Sequence, residues 1–155
     1  MIEGQAIVPA PEKHSFRGEY LDCFAVIENH LAPVVKRLVE LGQAKRAPLL
    51  FGLKFDLVLK SIHAEEVWQH REHVAPILEE LSQFAAMRGS ICHGLMHEAS
   101  IGGQPALSIT PPGSKSWTER KVLTAQECAA MIRALRQLTE RLLKQGMKQA
   151  TKPTS

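Results

Sequence analysis

Residues 70–94 read HREHVAPILEELSQFAAMRGSICHG, and the spacing inside this stretch decides how the chain is read. Val74, Ile77, Leu78, Leu81, Phe84, Ala85, Ile91 and Cys92 fall at the separations that bring side chains onto one face of an α-helix. Pro76 sits in or near the first turn, where a missing N–H is tolerated. Arg88 falls on the line of that stripe, between Phe84 and Cys92. Gly94 is a natural stop, able to supply a left-handed residue after the last turn.

Working outward, the apolar positions before this helix run Phe16, Tyr20, Phe24, Ile27, Leu31, Val34, Leu38 and Leu41, one face of a long amphipathic helix ending near Gly42. Pro33 lies inside it, which predicts a kink or break near His30. A second helix follows Pro48, read as its first-turn residue; Leu50, Leu53, Leu57 and Ile62 share its buried face, and Lys54 and Lys60 reach water. After Gly94 the last helix opens on TAQE, a capping box in which Thr124 serves the Glu127 amide and Glu127 reaches back. Cys128, Ile132, Leu135, Leu138 and Leu142 then line one side.

Between the third and last helices the texture changes. Two short runs flank Gly102 and Gly103, a pair suited to a two-residue hairpin turn. Poor alternation within each run predicts a protruding or partly ordered hairpin. The fold class expected is therefore all-α, a four-helix-type bundle with a short β-hairpin insertion between the third and last helices. It forms one domain over residues 14–147, with flexible tails at 1–13 and 148–155.

The composition, with 45 % apolar and 23 % charged residues in 155, is that of a chain able to bury a core. No apolar run reaches the roughly 20 residues that cross a bilayer, and the first residues lack the pattern of a signal peptide. A cytoplasmic protein is expected, with Cys23, Cys92 and Cys128 as reduced packing residues. A formal charge of +3 permits a polyanionic partner without requiring one. No glycine-rich phosphate loop or nucleophile elbow is present, and no cofactor is expected.

The segment RGSICHG, Arg88 to Gly94, carries the chemistry. A guanidinium beside a packed surface costs free energy unless an anion meets it. The anion is a carboxylate such as Glu79, Glu80 or Glu119, or else a bound phosphate. His93 either bonds the last helical carbonyls or presents its ring to a ligand. Five residues of helix rotate by about 500°, which leaves Arg88 and His93 about 140° apart. They do not meet on one face of a continuous helix; either the helix stops early or the partners come from a second copy.

An R-x4-H-G segment ending the third helix of such a set, ahead of a terminal helix, resembles the HEPN superfamily over roughly residues 49–145. Its hallmark is the R-x4-6-H motif. The resemblance implies a helical homodimer in which Arg88 and His93 form half of a metal-independent ribonuclease site, with Ser90, His97 and Lys54 as substrate-binding candidates. Active members serve as toxins or defence effectors, so RNA or nucleotide and a cognate antitoxin are the implied partners. Histidine supplies a base near neutral pH and arginine a permanent charge for the phosphorane. Many relatives only bind or dimerise. This chain has Gly89 where active members carry a polar residue after the arginine, and that position separates the two readings.

Other constellations are weaker. His93 and His97 with Glu98, or His70 and His73, have helical metal-ligand spacing but do not form HExxH, and no metal is expected. Arg133, Arg136, Arg141, Lys144, Lys148 and Lys152 make a cationic strip, either solvated or RNA-facing. Trp68 and Trp117 are read as packing anchors.

Overall fold

The computed structural model describes residues 12–113 and 120–148. Trp117, Glu119, Lys152 and most of both expected tails lie outside the described residues. Four helices, α1 (Lys13–Glu40), α2 (Phe51–Ser61), α3 (Arg71–His93) and α4 (Ala125–Leu143), are joined by β1 (Leu95–Ile101), β2 (Gln104–Thr110) and β3 (Lys121–Thr124). The chain is thus mainly helical, and the expected hairpin is part of a three-stranded antiparallel sheet in the order β1-β2-β3.

Each boundary has a local cause. The Glu12 carboxylate accepts from the amides of His14 (3.1 Å) and Ser15 (2.6 Å) and so starts α1. Of the expected kink or break, the break does not occur: the helix runs on through Pro33. Pro33 is exposed, so the carbonyl that loses its intrahelical donor lies toward water. At the other end Gln43 N donates to Leu38 O (2.9 Å) and Gly42 N to Val39 O (3.0 Å). This is a Schellman closure with Gly42 in the left-handed region, at φ 83°.

Gly102 and Gly103, at φ 55° and 79°, make the hairpin turn and place Ile101 opposite Gln104. The hairpin does not protrude. Its second strand is the central one, with Ala106, Leu107, Ser108 and Ile109 all buried. At the start of α4 the capping box forms in both directions: Thr124 N donates to Glu127 Oε1 and Glu127 N to Thr124 Oγ1, each at 3.1 Å. Cys128, Ile132, Leu135, Leu138 and Leu142 are buried as the spacing predicted.

The chain forms two compact units. One holds residues up to Asp22 with Ala86–Arg136, and so contains the start of α1, the end of α3, the sheet and most of α4. Phe16, Tyr20, Ile91, Met96, Leu107, Ile109 and Leu135 are its principal buried residues.

The other unit holds Cys23–Ala85 with residues from Gln137. Phe24 meets Phe51 edge-on with ring centroids 5.3 Å apart, and Phe51 stacks on Phe55. The α2 helix starts at Phe51 with Leu50 as its cap, so Pro48 lies before the helix and not in its first turn. Its buried side is Phe51, Phe55, Val58 and Ser61, continued by Ile62. The expected face is therefore rotated: Leu50 and Leu53 are 68 % and 55 % exposed. Both faces of α2 are apolar, and aromatic rings win the interior because they bury more surface. Trp68 is buried beside His30. Gln69 N donates to Gly146 O and Lys148 N to Val67 O (2.9 and 2.7 Å), which pins Lys148, expected in the tail, to the fold.

Candidate functional site at the end of the third helix

The last turn of α3 stays helical through His93. Arg88 and His93 therefore keep the roughly 140° separation of a regular helix, and α3 does not turn both toward one face of a single chain. Arg88 is half-buried with its Nε shut away from solvent, whereas His93 is exposed. Ser90 between them is half-buried, and its carbonyl accepts from Gly94 N at 2.7 Å. Gly89 is exposed, and a Cβ added there meets nothing within 4 Å.

What holds this helix end is a residue that spacing alone does not single out. Arg17 of α1 donates from Nε to Ile91 O (2.8 Å) and from Nη2 to Gly94 O (3.0 Å). Helix C-termini carry carbonyls without intrahelical donors and a partial negative charge, so a guanidinium serves both needs. The capping task that the sequence left open for His93 thus falls to Arg17. Nothing in the local pattern marks Arg17 beyond a charge next to the apolar Phe16; its acceptors lie 74 and 77 residues away.

Gly94 ends the helix for another reason than the one expected. It is not among the positive-φ glycines. A Cβ at this position would come within 2.6 Å of Thr110 O and nearer still to Ser90 O. Glycine is required by close backbone approach, where the helix turns directly into β1 beside β2.

His97 stands exposed on β1, paired with Ser108 of β2, so the two share a sheet face. Arg88, Ser90, His93 and His97 all belong to the same compact unit. Lys54 belongs to the other, where its Nζ lies 2.7 Å from Glu28 Oε1 in a part-buried ion pair. Among the described residues no group of three or more His, Cys, Asp or Glu is arranged to hold a metal ion. His70 and His73 stack on each other and flank the Glu72 carboxylate at 3.6 and 3.8 Å.

Of the cationic strip, Arg136 pairs with Glu19 at 3.5 Å and Lys148 with Glu66 at 2.8 Å. No disulfide joins the three cysteines; Cys23 and Cys128 are buried and Cys92 is half-buried. Burial, with the neighbouring Glu127 charge, pushes the Cys128 thiol up to about 11. Among the described residues no helix is long and apolar enough to cross a membrane. No family model matches the chain, and neither the characterised proteins nor the solved structures compared with it give a match.

Proposed function

We propose that the chain is a HEPN-like endoribonuclease that works without a metal, using the end of α3 from two copies of itself. The observation that carries this reading is the division of labour at that end. Arg17 supplies the donors for the terminal carbonyls, and His93, next to the capped residues, keeps its ring in solvent. A histidine presented this way on a fixed backbone suits proton transfer.

In the proposed reaction the 2′-hydroxyl attacks the adjacent phosphorus and His93 takes its proton. The phosphorus–O5′ bond breaks, and the departing oxygen receives a proton from His93 of the second copy. The products are a 2′,3′-cyclic phosphate and a free 5′-hydroxyl. Arg88 neutralises the charge that builds on the phosphorane oxygens. Twofold symmetry supplies two imidazoles and two guanidinium groups to one pocket, which a single α3 does not present on one face. Lys54 we leave with its Glu28 partner in the fold, while Ser90 and His97 flank the site.

A second reading is a non-catalytic module that binds RNA, nucleotide or a partner protein through the same groove. Gly89 favours it, since that position offers no side chain to orient a phosphate. The two readings separate when wild type, His93→Ala and Arg88→Ala are incubated with RNA in the presence of a chelator. Cleavage by wild type that falls by at least about a hundredfold in both variants supports the enzyme. Wild-type binding without cleavage supports the module.

A further inference from the structure

In the unit that begins at Cys23, a cleft of about 340 Å³ opens between α3 and the end of α4. His73, Pro76 and Ile77 line it from one side, and Arg141, Lys144 and Gln145 from the other. No carboxylate is among these lining residues. We infer that this cleft binds a phosphate group carried on an apolar body, the chemistry shared by a free nucleotide and an RNA chain. The inference stands apart from the Arg88–His93 reading, because none of its residues belongs to that site.

Several cations of this chain meet acceptors, while Lys36, Lys60 and Arg133 stand exposed outside this cleft; what sets Arg141 and Lys144 apart is that they line one concavity together. Arg17 caps α3, Lys54 meets Glu28, Arg136 meets Glu19 and Lys148 meets Glu66. Arg141 and Lys144 have no carboxylate within ion-pair distance among the described residues. His73 meets the Glu72 carboxylate at 3.8 Å, outside the lining; Arg141 and Lys144 face the same concavity without a carboxylate, and the field of two close cations is what draws an anion in.

The negative end of the α4 dipole accounts for a cation in its last turn. It does not account for His73, which arrives from a different helix. The floor fits the rest of a nucleotide: Ile77 and Pro76 offer apolar surface to a base or sugar, and the Gln145 amide offers a polar contact. The segment after α4 is also held, because His30 Nε2–H donates to Gln145 O at 3.1 Å. The volume lies at the small end of the range for ligand sites, about 300–1,000 Å³, a size suited to one nucleotide.

The test is calorimetric titration of the full chain with adenosine 5′-monophosphate, with adenosine, and with a short 2′-O-methylated RNA. That oligonucleotide lacks the attacking hydroxyl, so the outcome does not depend on nuclease activity. The phosphate-bearing ligands are expected to bind at least about tenfold more tightly than adenosine, and Arg141→Gln with Lys144→Gln to lose at least about tenfold in affinity. Both side chains are exposed, so the melting temperature should hold; if it drops, Lys144→Glu alone provides the same readout. Mononucleotide binding lost in the variants identifies free nucleotide as the source, and oligonucleotide binding alone identifies RNA. Failure of both phosphate ligands to bind, or binding unchanged in the variants, overturns the inference.

Discussion

Arg17 Nε donates to Ile91 O at 2.8 Å, tying the start of α1 to the last turn of α3 across 74 residues of sequence. With the second bond to Gly94 O, this places one guanidinium over the carbonyl end of the helix that carries Arg88 and His93. Replacing Arg17 by Gln should lower stability by about 2–3 kcal/mol, because charged donors to part-buried acceptors are lost. Thermal and urea unfolding would measure it. Faster hydrogen exchange should concentrate at residues 91–96, and an Arg17→Gln protein that melts like wild type would show the clamp to be incidental.

The two glycines of RGSICHG should respond in opposite directions. Gly94→Ala forces a methyl group against the backbone of Ser90 and Thr110, and should cost more than about 2 kcal/mol. Gly89→Ala meets open space on an exposed helical position and should stabilise by about 0.5–1 kcal/mol. Equilibrium unfolding of the two variants side by side decides it. Equal effects would contradict the close-approach account of Gly94.

The same open space bears on activity. If the proposed enzyme is limited by the missing polar group, Gly89→Asn should raise RNA cleavage without loss of stability, since nothing lies within 4 Å of the new Cβ. Cleavage rates of the variant and wild type on one RNA provide the comparison. No gain would remove position 89 from the account of the site.

Glu66 links stability to pH. The hydrogen bond from Lys148 Nζ, then the charges of Lys148 and Arg71, hold its carboxyl below the usual carboxylate range. Because the folded state binds this proton more weakly than the unfolded chain, the contribution is complete above the ordinary carboxylate range. It disappears as pH falls through the lowered value. The difference in melting temperature between wild type and Glu66→Gln should therefore be visible near about pH 6 and vanish toward about pH 3. A difference that grows on acidification would reverse the sign of this linkage.

How much of this was readable from sequence depends on the range of the interaction. Features with both partners within a few residues were legible: the Thr124–Glu127 box, the Gly102–Gly103 turn and the buried side of α4. Features that depend on distant chain were not. The rotation of α2 goes with Phe24 of α1 meeting Phe51, and its two apolar faces look alike in sequence. The strand Lys121–Thr124 is too short to announce itself and exists because β2 offers it an edge. At the candidate site Arg88, Ser90, His93 and His97 were all within reach of a motif reading. Arg17 was not, because its partners are set by tertiary packing.

We propose that Arg88 and His93 act together only when two copies join; α3 remains helical through His93, which supports this reading. Its most direct test follows RNA cleavage per chain and sedimentation mass together through a dilution series. The account predicts that activity per chain falls in step with the dimer fraction. A monomer that cuts equally well, or a dimer that cuts no RNA at any concentration, would contradict it.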